Sequence, residues 1–328
     1  MKTSLSKYLF ALSGLMLFLA LGLYISGKTS ITGPPLILFF LGLSLAMRST
    51  QNLKGFSFTV LIFAAVSLSM FYPQPMVQLG EFQLKKLIVP LLQIIMFGMG
   101  TAMSFNDFYG VIKMPQGVLV GLVCQFSIMP LLGFSLATLF NFPAEIAAGV
   151  VLIGSSPSGL ASNVMAYLAK ANVALSVTLT AVATVVAPFM TPLLMKYFAG
   201  AFVPIDVLAM MLSIVKMVIL PVVFGLVFNH FFHGKAKWLD KAMPIVSMTA
   251  IALIIVIITA AGRDSLLSIG VLLIIAAIFH NLMGYLLGYW GCRLLKMKEQ
   301  DCRTIALEVG MQNGGLASGI ALEMGKVS

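Results

Sequence analysis

Residues 154–163 of this 328-residue chain read GSSPSGLASN, and residues 308–318 read EVGMQNGGLAS. The two stretches share the pattern Gly-x4-Gly-Leu-Ala-Ser, which begins at Gly154 in the first copy and at Gly310 in the second. Both copies lie inside apolar runs, where glycine and Pro157 weaken or remove helical hydrogen bonds. Backbone groups freed at membrane depth persist only where they are buried in protein or line a cavity. The pattern therefore predicts a broken helix with a binding segment in each copy, and the alternative is a small-residue surface for helix packing.

The composition is that of a membrane protein. Hydrophobic residues make up 60% of the chain and charged residues 9%, against about 45–50% and about 25% in soluble domains. The second apolar stretch is short and begins with two prolines, so we expect it to be tilted or only partly inserted. We expect an all-α polytopic membrane protein, with an uncleaved first span and no sizeable soluble domain. The candidate spans cover residues 8–27, 31–47, 55–72, 86–104, 115–140, 143–168, 172–198, 206–233, 243–262, 266–292 and 303–325.

The charge pattern indicates orientation rather than a nucleic-acid partner. The net charge of +10 comes from basic residues scattered over short connectors, and they form no stripe of the kind that binds DNA or RNA. When the connectors are assigned alternately to two sides, most basic residues fall on the side of Lys2 and Lys7. The positive-inside rule makes that side cytoplasmic. We therefore expect a cytoplasmic N-terminus and an external Ser328.

The spacing of the two copies predicts an inverted repeat. An odd number of predicted spans separates Gly154 from Gly310, so the second copy enters the membrane from the opposite side. Inverted-topology repeats of this kind are typical of secondary transporters, whose binding sites lie near the bilayer midplane.

Glu308 is the acidic residue that lies against a break inside an apolar run. A carboxylate at that depth is either protonated, paired with a base or bound to a cation. Gln312, Asn313 and freed carbonyls offer neutral oxygens, which suit a hard cation such as sodium. A proton site and a purely structural role remain open alternatives. The first half of the chain adds further candidate oxygens at Ser162, Asn163, Ser176, Thr180 and Gln125, of which Ser176 and Thr180 share a helix face.

On these residues the chain resembles the bile acid:sodium symporter family, including the bacterial homologues of the apical bile acid transporter. The resemblance covers about residues 55–326 and includes a fairly specific Glu-x-Gly-x-Gln-Asn element at 308–313. It implies two inverted five-helix repeats, a core domain and a panel domain, and two broken helices that cross near the midplane. The stretches that carry it are residues 161–170, 172–177, 213–218 and 302–313.

The resemblance also implies a division of the chain. Residues 1–54 form an N-terminal extension with one or two extra spans, residues 55–198 the first repeat, and residues 206–326 the second repeat with four spans. The family's last core helix would follow Lys326, so we expect that helix to be missing from a chain that ends at Ser328.

The resemblance assigns two sodium sites, one residue at a time. The first would consist of Ser162, Asn163, Ser176, Thr180 and Glu308. The second would consist of Gln125, Glu308, Met311 and Gln312 with backbone oxygens that include Val309. One carboxylate with about two sodium ions leaves a positive site, which attracts an organic anion. The expected substrate contacts are Asn313, Asn163 and Gly159, at the helix N-termini beside the crossing.

The function expected from these residues is sodium-coupled symport of a small organic anion, such as a bile acid or related carboxylate, by alternating access across a bacterial inner membrane. The expected partners are the anion, sodium and the lipid bilayer, without nucleic acid and without enzyme activity. A proton-coupled or uncoupled organic-acid carrier of the same fold is the alternative. A remote alternative is an intramembrane serine protease that uses Ser158 or Ser162 with His280. Lys216 lies inside a predicted span, where a cavity-lining or interdomain role and a structural role are both open.

Overall fold

Helices account for nearly all of the regular structure. The computed structural model describes residues 2–51, 53–159, 161–232 and 237–325. Over these residues, nine helical stretches are long and apolar enough to cross a membrane, so the chain is an all-α polytopic membrane protein. The helices are α1 (Lys2–Ile25), α2 (Gly33–Ser49), α3 (Ser57–Phe71), α4 (Pro73–Val77), α5 (Ile88–Thr101), α6 (Phe105–Phe108), α7 (Gly110–Lys113), α8 (Pro115–Leu139), α9 (Ala144–Ser155), α10 (Ala161–Leu168), α11 (Val173–Leu194), α12 (Val207–Ile214), α13 (Leu220–Phe232), α14 (Lys237–Ala261), α15 (Arg263–Leu294), α16 (Glu299–Gly310) and α17 (Gly314–Glu323).

Short elements connect or interrupt these helices. A two-stranded antiparallel hairpin pairs β1 (Gln78–Leu79) with β2 (Phe82–Gln83), and Gly80 in its turn has a φ of +60°. Two π-helical turns extend or interrupt long spans, at Met195–Ala199 after α11 and at Val215–Ile219 between α12 and α13. Single 3₁₀ turns lie at Thr29–Ile31, Lys54–Phe56 and Leu84–Leu87.

The two expected helix breaks are confirmed. The span predicted at 143–168 consists of α9 and α10, and the span predicted at 303–325 consists of α16 and α17. The second predicted span has 21 apolar helical residues, from Thr29 to Ser49, which is long enough to cross. Leu160 of the first repeated motif and Lys326, the predicted end of the second repeat, lie outside the described residues.

Several helices extend beyond the predicted apolar stretches. α15 begins at Arg263 rather than at residue 266, and α16 begins at Glu299 rather than at residue 303. In both cases the extra turn contains acidic residues, Asp264 in α15 and Glu299 in α16. Negative charges stabilise the first turn of a helix, so hydrophobicity alone underestimates where the helix begins.

The chain divides into two compact units. The first contains Met1–Leu91 and Ile245–Ser268. In this unit α1 and α2 approach closely at Gly42. A Cβ added there would lie 2.6 Å from the Ser13 hydroxyl oxygen. The Ser69 hydroxyl donates to the Val256 carbonyl at 2.9 Å, which joins α3 to α14.

The second unit contains Leu92–Pro244 and Ile269–Val327, and every predicted site residue belongs to it. Helices α5 and α13 meet in this unit at two glycines. A Cβ added at Gly100 would lie 2.1 Å from the Val222 carbonyl oxygen, and one at Gly225 would lie 2.2 Å from the Phe97 carbonyl oxygen. Small residues thus allow direct backbone contact, as is common between membrane helices.

Candidate cation and substrate site

The two helix breaks pair with each other through their backbones. The Gly159 amide donates to the Met311 carbonyl at 3.0 Å, and the Asn313 amide donates to the Pro157 carbonyl at 2.9 Å. Residues 158 and 312 lie opposite each other in this short antiparallel bridge. Each break therefore satisfies backbone groups that the other break has freed, which membrane-embedded backbone requires.

Two repeated glycines hold the broken helices against their neighbours. A Cβ added at Gly154, near the end of α9, would lie 2.4 Å from the Met129 carbonyl oxygen of α8. A Cβ added at Gly310, the end of α16, would lie 2.2 Å from the ring of Tyr285 in α15. The Asn281 side-chain amide donates to the Gly310 carbonyl at 2.6 Å and so satisfies one carbonyl of the last turn of α16. At these two positions the close approach requires glycine.

Glu308 is almost fully buried, with 2% of its surface exposed, and hydroxyl groups surround its carboxylate. Oε1 accepts from the Ser162 hydroxyl at 2.7 Å and from the Ser176 hydroxyl at 2.5 Å. Oε2 accepts from the Ser158 hydroxyl at 2.5 Å and from the Thr180 hydroxyl at 3.0 Å. Over the part of the chain that the structure describes, Glu308 has no ion pair with a basic side chain. Neutral hydroxyls alone therefore solvate this buried carboxyl group.

The hydroxyl groups of the cluster make more contacts with acceptor oxygens than they have protons. The Ser176 hydroxyl faces Glu308 and also the Asn163 side-chain oxygen, at 2.8 Å. The Thr180 hydroxyl likewise faces both acceptors and lies 3.2 Å from the Asn163 oxygen. Each hydroxyl has one proton, so one of its two acceptors is left with an oxygen-to-oxygen contact. The oxygens that face each other without a proton between them have free lone pairs, which can bind a cation.

A second polar group begins at Gln125, which is 3% exposed on α8. Its side-chain amide donates to the Ser156 carbonyl at 2.9 Å and to the Gln312 side-chain oxygen at 2.8 Å. The Gln312 amide in turn donates to the Val309 carbonyl at 2.6 Å. The side-chain oxygen of Gln125 is buried and has no hydrogen-bond partner among the residues that the structure describes. An unpartnered buried oxygen costs free energy unless a ligand or water binds it.

The structure thus brings the predicted cation residues together in two groups. The hydroxyl cluster contains all five residues predicted for the first site. The second group joins Gln125, Gln312 and the Val309 carbonyl, while the Met311 carbonyl accepts from Gly159. The Glu308 carboxylate, predicted for both sites, makes its hydrogen bonds in the hydroxyl cluster.

The predicted substrate residues occupy different environments. Asn163 belongs to the hydroxyl cluster through its side-chain oxygen. The Asn313 side-chain oxygen accepts from the Leu316 amide at 3.0 Å, so Asn313 caps the N-terminus of α17. A Cβ added at Gly159 would lie 3.4 Å from the Gln312 carbonyl oxygen, beside the bridge. Gly159 and Asn313 therefore lie together at the paired breaks.

Ser158 is a site residue that the sequence analysis assigned only to the protease alternative. Its hydroxyl donates to Glu308, as does that of Ser162. The His280 ring nitrogen Nε2 instead lies 2.9 Å from the Met129 carbonyl oxygen. The sequence feature that could have identified Ser158 as a site residue is its position inside the break, directly before Gly159. This geometry favours a carboxylate site over a serine–histidine pair.

A polar clamp, consisting of Asn172, Asp301 and Thr304, was also missed. The Asn172 side-chain amide donates to Asp301 at 2.7 Å, and its backbone amide donates to the Thr304 hydroxyl at 2.9 Å. The Asn172 side-chain oxygen accepts from the Leu175 amide at 3.1 Å and caps α11. The clamp holds the start of α11 against the first turns of α16, whose far end contains Glu308.

The donor set is typical of a hard monovalent cation. Over the described residues, no three His, Cys, Asp or Glu side chains form a group that could hold a metal ion. The clusters offer one carboxylate together with hydroxyl, amide and carbonyl oxygens. Ligands of this kind are suited to sodium rather than to zinc or copper.

Comparisons with known proteins identify a family and several relatives. The profile of the Sodium Bile acid symporter family matches residues 89–269. The chain is 40% identical over 277 residues to an uncharacterized sodium-dependent transporter, YocS, from Bacillus subtilis (strain 168). The aligned residues cover 84% of each chain. It is 36% identical over 247 residues to the ileal sodium/bile acid cotransporter of Homo sapiens, covering 72% of this chain and 69% of that protein. It is also 36% identical over 232 residues to a probable sodium/metabolite cotransporter, BASS1, from Arabidopsis thaliana, covering 71% of this chain and 58% of that protein.

Proposed function

The chain belongs to the sodium bile acid symporter family, and from this premise we propose that it is a sodium-coupled symporter of a small organic anion, such as a bile acid or related carboxylate. Its membrane is a bacterial inner membrane, with the N-terminus in the cytoplasm. The family consists of transporters rather than enzymes, and the protein performs no covalent chemistry on its substrate.

The observation that carries the proposal is the excess of oxygen-to-oxygen contacts over hydroxyl protons around Glu308. In the hydroxyl cluster, Ser176 and Thr180 each face two acceptors with one proton. With sodium bound there, the hydroxyl protons turn away and the oxygens of Ser176, Thr180 and Asn163 offer lone pairs beside the carboxylate. The first sodium site thus consists of Ser162, Asn163, Ser176, Thr180 and Glu308.

The second sodium site is supported by the unpartnered oxygen of Gln125. This oxygen lies in the group that contains Gln312 and the Val309 carbonyl, next to the Met311 carbonyl. The chain therefore takes about two sodium ions per cycle, which together outweigh the single negative charge of Glu308.

The substrate contacts lie at the N-termini of the second half-helices. Helices α10 and α17 both begin at the paired breaks, and their N-terminal amides carry partial positive charge. Asn313 and Gly159 lie there, and Asn163 lies in the first turn of α10. These groups, together with the net positive charge of the loaded sodium sites, favour an anion.

The coupling follows from electrostatics. The Glu308 carboxylate costs free energy when it is buried with neutral partners alone, and sodium removes much of that cost. The same ions leave a positive site, which strengthens binding of the organic anion. Because linkage is reciprocal, the anion strengthens sodium binding by the same factor. The carrier then reorients with both substrates bound, in an alternating-access cycle.

A proton-coupled carrier is the second candidate function. A protonated Glu308 could donate its O–H to the Ser176 or Thr180 oxygen, because either hydroxyl can turn its own proton to Asn163. The hydrogen bonds therefore fit either form of the carboxyl group. The sodium-dependent transporters among the relatives rank the sodium symporter first.

The test compares Glu308→Gln with Glu145→Gln, a control on the exposed first turn of α9. Purified protein is melted in sodium, potassium or choline at fixed ionic strength, and proteoliposomes are assayed for uptake of radiolabelled cholate. We expect sodium alone to stabilise the wild type and Glu145→Gln, and to drive uptake in both. Glu308→Gln should lose the sodium response. Stabilisation that follows pH and ignores sodium would favour the proton-coupled carrier and reject the proposal.

A further inference from the structure

Lys216 is a basic side chain in the middle of a membrane span. It lies in the π-helical turn Val215–Ile219 of the span Val207–Phe232. At about 1.5 Å of rise per residue, Lys216 lies about 14 Å from the start of that span, near the centre of a hydrocarbon core about 30 Å thick. Single π-helical turns within α-helices often lie at functional sites.

The Lys216 side chain is exposed and lacks a counter-ion in the described part of the chain. A lysine that faces lipid at this depth costs several kcal/mol, and its side chain is too short to reach the headgroups from the bilayer centre. Charged residues within membrane spans therefore almost always face the protein interior or a water-filled cavity. The exposure and the charge together indicate that Lys216 faces an aqueous cavity.

Packing places this π-helical turn beside α17. The Met217 sulfur lies 3.7 Å from the Cβ position of Gly319, and Leu92 fills the space beside the same glycine. The Gln93 side-chain amide, next along α5, donates to the Lys216 carbonyl at 3.3 Å. Leu92 also contacts the Cβ position of Gly315, at 3.8 Å. The π-helical turn therefore lies beside the middle of α17, and Leu92 connects that level to Gly315 near the paired breaks.

We propose that Lys216 binds the acid group of the transported organic anion, as an anion-binding residue separate from the sodium sites. This inference rests on the proposed symport of an organic anion. On the same side of the span, Leu212 and Leu220 are 51% and 46% exposed. They offer an apolar surface on either side of the ammonium group, which fits a carboxylate or sulfonate attached to an apolar body.

The first experiment compares Lys216→Met with Lys196→Met. Lys196 is a matched control, because it is also an exposed lysine in a π-helical turn, but that turn lies at the end of its span. Sodium-dependent cholate uptake is measured in proteoliposomes, and sodium-dependent stabilisation in detergent. We expect Lys216→Met to raise the half-saturating cholate concentration by about 10- to 100-fold, since one charge-assisted hydrogen bond is lost. Its sodium stabilisation should stay at the wild-type value, and Lys196→Met should match the wild type in both assays.

The second experiment needs no substrate. Lys216→Cys is treated with a water-soluble, anionic methanethiosulfonate, against the background of the three buried native cysteines. We expect rapid modification at residue 216 in reconstituted protein, because the side chain faces water. Failure to react, or an unchanged half-saturating cholate concentration in Lys216→Met, would overturn the inference. Loss of the sodium response in the wild type would instead reject the proposed function, so the two failures are distinguishable.

Discussion

Gly154→Ala should separate α9 from α8 and destabilise the protein. The added Cβ would lie 2.4 Å from the Met129 carbonyl oxygen and 2.8 Å from its carbonyl carbon. Both atoms belong to the backbone, so no side-chain rotation relieves the clash, and the two helices must move apart by about 1 Å. Overpacking of this kind costs about 1–3 kcal/mol.

Gly149→Ala is the matched control on the same helix. No described residue lies within 4 Å of a Cβ at Gly149, so this variant gains only the helix propensity of alanine, about 0.8–1.0 kcal/mol. Alanine at Gly154 gains no more helix propensity than alanine at Gly149 does. The difference in the free energy of unfolding between the two variants is therefore about 1–3 kcal/mol, in favour of Gly149→Ala.

The measurement is reversible unfolding of both variants in mixed micelles of mild and denaturing detergent, with and without sodium. Sodium stabilisation should also weaken in Gly154→Ala, because the Ser156 carbonyl that positions Gln125 lies two residues further along the chain. If the two variants unfold at the same detergent fraction, then α8 and α9 do not make the close contact described and the reasoning is refuted.

Two further predictions concern residues that the sequence analysis missed. Ser158→Ala removes one hydroxyl donor from the buried Glu308 carboxylate and should lower the free energy of unfolding by roughly 1.5–3 kcal/mol, the contribution of a hydrogen bond to a charged group. Ser127→Ala should unfold as the wild type does, since its exposed hydroxyl bonds to the Val123 carbonyl of the same helix. Asn172→Ala removes the N-cap of α11 and the hydrogen bond to Asp301. It should lower the free energy of unfolding by about 0.5–2 kcal/mol. An unchanged free energy of unfolding in this variant would show that the polar clamp contributes nothing to stability.

Much of the architecture was predictable because hydrophobicity and helix breakers are local signals. The long apolar runs predicted the spans, and Pro157 with its flanking glycines predicted the first break. Glu308 stood out because a carboxylate at membrane depth needs a partner. The oxygens of Ser162, Ser176 and Thr180 were expected near it, and the structure brings them into contact with it.

Contacts between segments distant in the sequence were not predictable in the same way. Ser158 reaches Glu308 because the two breaks pair as an antiparallel bridge, and no periodicity within either segment specifies that pairing. The contact of Asn172 with Asp301 likewise depends on how α11 lies against α16. The π-helical turn that contains Lys216 also has no signature in the apolar pattern, which continues through it unchanged.

The pairing of the two breaks has a consequence for how the protein is made. The first break leaves the ribosome long before the second, so the Gly159 amide and the Pro157 carbonyl have no partner until residue 313 has been synthesised. Exposed backbone groups of this kind are not tolerated in lipid. We therefore expect α9 and α10 to stay in the translocon or at the membrane surface during synthesis, and to settle in the bilayer only when α16 and α17 arrive. Insertion of the first broken helix is then one of the last steps in biogenesis, although its sequence is translated about halfway along the chain.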